Sequence, residues 1–222
     1  MSLCNKFYAK VAIFTRKGDA IDKIMLTLPA KLTNVMKLVR KPWVWLSRFH
    51  YRRGYGVHSP FAYAFIRGVL LETWPYYAYD ELERRHPWLE RKVLTYPVRC
   101  RRMLFRVANA VHPATMAILG DRPLERDYMS AGVASARRTD DASSAGLVFI
   151  AHEQLSEAPS LLPTLPHSAT LICEGIYEDD EARATWQAVI SHARTTLTFD
   201  LYTYGVALLD RPLNRHNYKV NF

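Results

Sequence analysis

Strand and helix patterns alternate between residues 169 and 210, and this stretch constrains the fold more than any other part of the chain. Residues 169–173 form a short apolar run of the kind that predicts a buried strand. An acidic turn follows, and apolar residues then recur at helical spacing from 182 to 193. Two more strands are predicted at 195–202 and 206–210, joined by a tight turn. This order predicts the closing half of a doubly wound α/β sheet whose last strand runs antiparallel.

The first half of the sheet is predicted from two further apolar runs, at 114–120 and 146–151. Their continuous, β-rich character is typical of parallel strands that are buried on both faces. A helix is predicted at 100–111, before the first run, and a shorter one begins at 121–123. Residues 132–138 have weak strand character, so the middle of the sheet is expected to be small.

Positive charge is concentrated at the N-terminal end. The 222 residues have a formal net charge of +9, whereas residues 1–60 alone carry a net charge of +10. Basic side chains attract phosphate groups, whether on nucleic acid or on an anionic membrane surface. One hypothesis is therefore that residues 1–60 bind an anionic surface; the alternatives are an ordinary solvated helical face and a protein partner.

The same segment combines an amphipathic helix with aromatic residues. Apolar residues share one helical face between 24 and 39, and Trp43, Trp45 and Phe49 follow among arginines. This mixture suits docking onto the protein's own core, a membrane interface or a nucleic-acid surface, and the sequence leaves the three open.

Three regions are predicted: a basic helical arm at 1–53, a helical cap or linker at 54–110, and an α/β domain at 111–222. The second region opens with Ser59 as a helix N-cap and Pro60 at the first helical position, where the missing N–H costs nothing.

The cysteines and the absence of long apolar runs indicate the cellular compartment in which the protein is expected. Cys4, Cys100 and Cys173 are far apart and odd in number, which predicts neither a disulfide framework nor a structural zinc site. Charged residues interrupt the N-terminal apolar residues, so neither a signal peptide nor a membrane span is predicted. We expect a cytoplasmic protein, with peripheral attachment to the inner membrane surface as the alternative.

Several segments of the chain occur in an order that is found in one known family. They are the helix start 56–61, the helix 103–106 leading into 118–120, the strand 147–150, and Trp186 before the hairpin at 198–206. Together they resemble a bacterial family of class I S-adenosylmethionine-dependent methyltransferases, of the small O-methyltransferase type. The resemblance implies a Rossmann-like methyltransferase sheet and S-adenosylmethionine as cofactor.

The sequence departs from that family where the cofactor would bind. The resemblance implies a glycine-rich turn after the first strand, but here Gly120 is followed by Asp121, Arg122 and Pro123, whose bulk crowds the approach. It also implies an acidic residue after the second strand, and only loop residues such as Asp140 are available for this role. Gly120, Asp121 and Asp140 are the candidate cofactor-binding residues.

The length of the middle segment gives a separate reason to expect a truncated sheet. The 26 residues from 121 to 146 separate the two core strands. Two strand-helix units need about 60 residues, at roughly 30 per unit. Most of the adenosine-binding half is therefore expected to be missing.

The candidate catalytic residues are His152 and Glu174. Each follows a predicted strand at the edge where an open α/β sheet binds its ligands, so a general base is geometrically allowed there. No metal site is predicted. The acidic residues 178–181 are explained more simply as a favourable first turn of the following helix.

The resulting hypothesis is a truncated, Rossmann-like α/β protein of methyltransferase type that has lost its cofactor site and acts as a non-catalytic interaction module. The alternative is an active O-methyltransferase for an unknown small acceptor, with S-adenosylmethionine as cofactor. A weaker alternative is binding to nucleic acid or an anionic membrane through the basic arm.

Overall fold

The computed structural model describes residues 48–54, 56–85 and 95–222. The predicted helix at 24–39 and most of the basic arm lie outside these residues. The described part is a mixed α/β fold around a seven-stranded sheet in the order β2-β1-β3-β4-β6-β5-β7. No helix within the described ranges is long and apolar enough to cross a membrane.

Four parallel strands form the first part of the sheet, and the three predicted core runs supply β1, β3 and β4. They are β1 (Thr115–Leu119), β2 (Arg137–Arg138), β3 (Leu147–Ile150) and β4 (Thr170–Glu174). All four residues of β3 are buried, as expected for a strand covered on both faces. β2 has only two residues, both exposed, so the sheet is short beyond β1.

The antiparallel hairpin predicted at the C-terminal end is confirmed. It consists of β5 (Thr195–Asp200) and β6 (Tyr204–Leu209), and β6 also pairs antiparallel with β4. A further strand, β7 (His216–Lys219), pairs parallel with β5 and was not predicted. Its residues are polar and mostly exposed, so they lack the apolar pattern by which the other strands were recognised. The sheet reaches seven strands because β7 extends the edge opposite β2.

The helices cover both faces of the sheet. They are α1 (Pro60–Phe65), which continues as a π-helical turn (Ile66–Leu70), α2 (Tyr77–Arg85), α3 (Thr95–Val111), α4 (Pro123–Gly132), α5 (Ala158–Leu161) and α6 (Asp180–Ser191). The predicted cap of α1 is confirmed, since Ser59 Oγ accepts from the Ala62 N–H at 3.3 Å. Asp179 caps α6 in the same way, accepting from the Ala182 N–H at 2.7 Å.

Alternate residues of each strand enter two hydrophobic clusters. Leu147 and Phe149 of β3 pack with α1 and α3 on one face. Val148 and Ile150 pack with α5 and α6 on the other. This alternation follows from the two-residue period of a strand. Helices α1 and α3 therefore share one core with the sheet, whereas α2 packs in a separate cluster with Phe105 and Tyr128.

Candidate functional site

The connections of the sheet place a topological switch point between β1 and β3. The chain leaves β1 towards β2 on one side and then enters β3 on the other side of β1. Open α/β sheets bind ligands in the crevice outside the carboxyl ends of the strands at such a point. Gly120 and Ala151 follow β1 and β3 there, and Glu174 ends the neighbouring strand β4.

Gly120 is needed for the approach of the protein's own chain. Its φ angle is +103°, a conformation that glycine adopts freely. A Cβ added at Gly120 would lie only 2.5 Å from the Ala151 Cβ, with Gln154 Oε1 at 3.6 Å. The glycine therefore lets the β3 turn pack closely against the β1 turn.

Arg122 connects the ends of two strands across this crevice. Its Nη2 donates to Glu153 Oε1 at 2.8 Å and Oε2 at 2.9 Å, and its Nε donates to Glu174 Oε2 at 2.8 Å. We call Arg122, Glu153 and Glu174 the crevice cluster. Charge-assisted hydrogen bonds of this kind have defined geometry as well as strength. Hydrogen bonding to Glu153 raises the pKa of Arg122 above its ordinary value, so the guanidinium is charged throughout the accessible pH range.

Glu153 gives the crevice cluster a testable pH dependence. The hydrogen bond from Arg122 lowers the pKa of Glu153 below that of an ordinary glutamate. A depressed folded-state pKa contributes stability that is present above the unfolded pKa and is lost as the pH falls through the folded value. We expect Arg122→Gln to return the Glu153 pKa to its ordinary range, as measured by carboxyl-carbon NMR titration. An unchanged Glu153 pKa in this variant would contradict the bridge.

His152 is held by a partner outside the crevice cluster. Its Nε2 lies 3.2 Å from Asp179 Oδ2, the carboxylate that also caps α6. Its Nδ1 is buried and has no hydrogen-bond partner among the residues that the structure describes. Gly175, whose φ is +71°, packs against the ring, and a Cβ there would lie 2.9 Å from Nδ1. Gly175 therefore packs beside Nδ1 of the imidazole, and the Asp179 carboxylate lies beside Nε2.

The other two candidate cofactor residues lie apart from one another. Asp121 is exposed beside the crevice, and its carbonyl accepts from Arg122 Nη1 at 3.2 Å. Asp140 is exposed in the loop after β2. Arg138 pairs with Met116, and the paired register of β1 and β2 ends there, before Asp140.

Asp141, the acidic residue next to Asp140, has a local structural role. Asp141 Oδ1 accepts from the backbone N–H of Ser143 at 3.0 Å and from its hydroxyl at 2.7 Å. These bonds cap the short 3-10 helix Ala142–Ser144, which turns the chain back beneath β1. Bonding to the Ser143 side chain lowers the pKa of Asp141.

From the sequence, Arg122 was expected only to add bulk next to Gly120, and its role as the centre of the crevice cluster was missed. One signal was present: Arg122, Glu153 and Glu174 each stand within three residues of the end of a predicted core strand. Parallel strands end at one edge of a sheet, so opposite charges in those positions can meet. No group of three or more potential metal ligands occurs in the described portion of the chain.

The chain was compared with protein families, curated proteins and solved structures. No protein-family model matches the chain, and no curated protein matches its sequence. Among solved structures, an O-methyltransferase from Bacillus cereus in complex with SAH matches with 8% sequence identity and a TM-score of 0.42, over 65% of this chain and 95% of that one. At this TM-score the likeness carries no argument about fold or function.

Proposed function

We propose that the chain is a methyltransferase-like protein without catalytic activity, which uses its α/β domain as an interaction scaffold. The observation that carries this proposal is the bridge from Arg122 to Glu153 and Glu174 across the crevice. The resemblance of the motifs and the parallel order β2-β1-β3-β4 support the methyltransferase-like part. The bridge supports loss of cofactor binding, because the side chains that line the switch point are engaged with one another.

S-adenosylmethionine does not fit the residues at the switch point. Ala151 packs against Gly120, where a cofactor would otherwise approach the backbone. Next to this contact, Arg122 is paired with Glu153 and Glu174. β2 itself contains no acidic residue, and Asp140 follows it in an exposed loop rather than at the end of the strand. Each lost buried hydrogen-bond partner costs about 1–3 kcal/mol. Loss of the ribose acid would lower a micromolar affinity of about 8 kcal/mol by that amount.

The two candidate catalytic residues are also engaged within the protein. Glu174 accepts from Arg122, and its other oxygen lies 3.5 Å from the Tyr204 hydroxyl. A general base needs a free lone pair within reach of the substrate proton. His152 Nε2 lies 3.2 Å from Asp179 Oδ2, and Gly175 packs against the ring beside Nδ1. These contacts support structural roles for both residues.

Calorimetric titration of the full chain with S-adenosylmethionine and with S-adenosylhomocysteine tests the proposal. At concentrations that detect dissociation constants up to about 1 mM, we expect no saturable binding of either compound. Both compounds should also leave the midpoint of thermal unfolding unchanged, because a ligand stabilises only a state that it binds. Circular dichroism with a cooperative melt provides the control for folding.

Saturable 1:1 binding would overturn the proposal and favour the active O-methyltransferase. That alternative predicts methyl transfer that His152→Ala abolishes while the variant stays folded.

The partner that we propose is an anionic surface contacted by the basic residues of segment 1–60. The net charge of +10 in this segment supports it. Arg48 does not take part, since it pairs with Asp200 inside the fold. The full chain should sediment with vesicles containing anionic phospholipid and less with neutral ones, and replacing the Lys and Arg residues of 1–47 by Gln should abolish the difference. Equal sedimentation with both vesicle types would contradict this partner.

A further inference from the structure

A second concave site lies away from the crevice cluster, between the segment that leads into α2 and the outer face of α3. It is a cavity of about 390 Å³, within the range of about 300–1,000 Å³ that small-molecule sites occupy. Glu72 and Trp74 line one side, and Arg99, Arg102 and Arg106 of α3 line the other. No residue of the crevice cluster lines this cavity.

Arg106 places a buried positive charge at this cavity. The residue is 3% exposed, and no carboxylate of the described residues lies within salt-bridge distance of it. Its Nε donates to the Val69 carbonyl at 2.6 Å, its Nη2 to the Leu70 carbonyl at 2.9 Å, and its Nη1 approaches the Tyr79 hydroxyl at 3.4 Å. A guanidinium has five N–H donors, so two remain without a protein acceptor in the described structure. Burying a charge is costly unless it is paired, and an anion in the cavity would supply that pair.

The two other arginines are held in place by neighbouring groups. Arg102 Nε donates to Glu83 at 2.9 Å, and its guanidinium lies 4.7 Å from the centre of the Tyr79 ring. The Arg99 guanidinium lies 4.5 Å from the centre of the Phe222 ring. Side chains fixed in this way lose little conformational freedom when a ligand binds.

Charge and shape both favour a particular ligand class. The four charged residues that line the cavity are three arginines and Glu72; Arg102 is paired with Glu83, so the net charge is +1 when that partner is included. The Glu72 carboxylate accepts from the Tyr76 hydroxyl at 3.0 Å, which holds it on its own side of the cavity. Trp74 leaves 73% of its surface exposed at the same site, where its ring offers a flat apolar face.

We propose that this cavity is a binding site for a small aromatic anion, a carboxylate or phosphate monoester carried on a planar ring. The anionic group binds the free N–H donors of Arg106 with support from Arg99 and Arg102, and the ring stacks on Trp74. Both parts of the ligand are needed, because the charge matches the arginines and the ring covers the exposed indole.

Four probes, titrated into the full chain by calorimetry, separate these contributions. Benzoate and phenyl phosphate carry both features; benzamide lacks the charge and inorganic phosphate lacks the ring. We expect at least one of the two aromatic anions to bind with a dissociation constant of about 1 mM or tighter, and the one that binds more tightly identifies the anionic group. Benzamide and inorganic phosphate should each bind at least about tenfold more weakly, since a charge-assisted hydrogen bond or a stacked ring contributes at least that factor.

Two substitutions on the cavity wall test the site without disturbing the core. Trp74→Ala should weaken the aromatic anion about tenfold, whereas Tyr77→Ala, which removes a neighbouring aromatic residue that is 90% exposed and does not line the cavity, should leave affinity unchanged. Glu72→Gln should strengthen binding about threefold, because it removes a negative charge while retaining an acceptor for Tyr76.

Equal affinity for benzoate and benzamide, or equal affinity of Trp74→Ala and the unaltered chain, would overturn the proposal. So would the absence of detectable binding of both aromatic anions by the folded protein.

Discussion

Replacing Arg48 by alanine is expected to lower the free energy of unfolding by about 3–5 kcal/mol, because it leaves a buried carboxylate without its counter-charge. Asp200 ends β5 and is 6% exposed. Arg48 Nη1 donates to Asp200 Oδ1 at 2.8 Å and Nη2 donates to Oδ2 at 3.0 Å. This is a bidentate pair, the strongest common arrangement of an arginine and a carboxylate.

Aromatic rings enclose the same pair and add to the expected loss. The Arg48 guanidinium carbon lies 5.5 Å from the centre of the Tyr177 ring and 5.3 Å from that of Tyr202. The Tyr177 hydroxyl donates to Asp200 Oδ2 at 2.7 Å, and the backbone N–H of Tyr202, which has a φ of +74°, donates to Oδ1 at 2.8 Å. Removing Arg48 therefore also takes away a cation–π contact with each ring.

Chemical denaturation of the full chain measures this effect. For a chain of this size, 3–5 kcal/mol corresponds to a fall of roughly 6–20 °C in the melting midpoint. The matched control is Arg138→Ala, which removes an exposed arginine from β2 and should change the stability by less than about 0.5 kcal/mol. Asp200→Asn should also destabilise, and the double variant should lose less than the sum of the two. Additive losses would show that Arg48 and Asp200 are not coupled.

Trp186→Ala is expected to have an effect of similar size, about 3–5 kcal/mol, through a cavity in the core. Trp186 lies on α6, is fully buried, and belongs to the cluster that covers one face of the sheet. Its ring packs directly on Gly205 of β6, where an added Cβ would lie 2.6 Å from the nearest ring carbon. Because residue 205 has no side chain, the indole can occupy the space next to the β6 backbone.

This contact predicts a coupling that distinguishes packing from other causes. Gly205→Ala alone should destabilise the protein by about 1–3 kcal/mol, because the new methyl group overlaps the indole. In the Trp186→Ala background the same change should cost close to nothing, since the ring is gone. A double-mutant cycle by urea denaturation measures the difference. An equal cost of Gly205→Ala in both backgrounds would mean that the strand, rather than the indole, excludes the side chain.

The Arg48–Asp200 pair also bears on the N-terminal segment. The sequence left core docking, membrane binding and nucleic-acid binding open for the aromatic and basic residues around Phe49. Arg48 docks into the core, whereas Phe49 is 49% exposed. The Arg48–Asp200 pair thus attaches the end of the arm to the C-terminal half of the sheet. The anionic partner is proposed for the basic residues of 1–47.

The elements that the sequence predicted well are those with a strong local signal. The runs in β1, β3 and β4 are predominantly apolar, and the predicted cap residue Ser59 precedes its helix directly. β7 was missed because its stability comes from pairing with β5 rather than from apolar side chains of its own. Of the weak strand predicted at 132–138, only Arg137 and Arg138 form a strand, and Gly132 ends α4.

By itself the sequence determined the alternation of strands and helices and the antiparallel hairpin, because periodicity and caps act over a few residues. Only the tertiary structure decided which charged residues meet. Arg122 reaches Glu174 across 52 positions and Arg48 reaches Asp200 across 152. Such pairs depend on strand order and register, which are set by the packing of the whole sheet. Candidate functional residues could therefore be placed at the correct edge from the sequence, but their partners could be identified only in the folded chain.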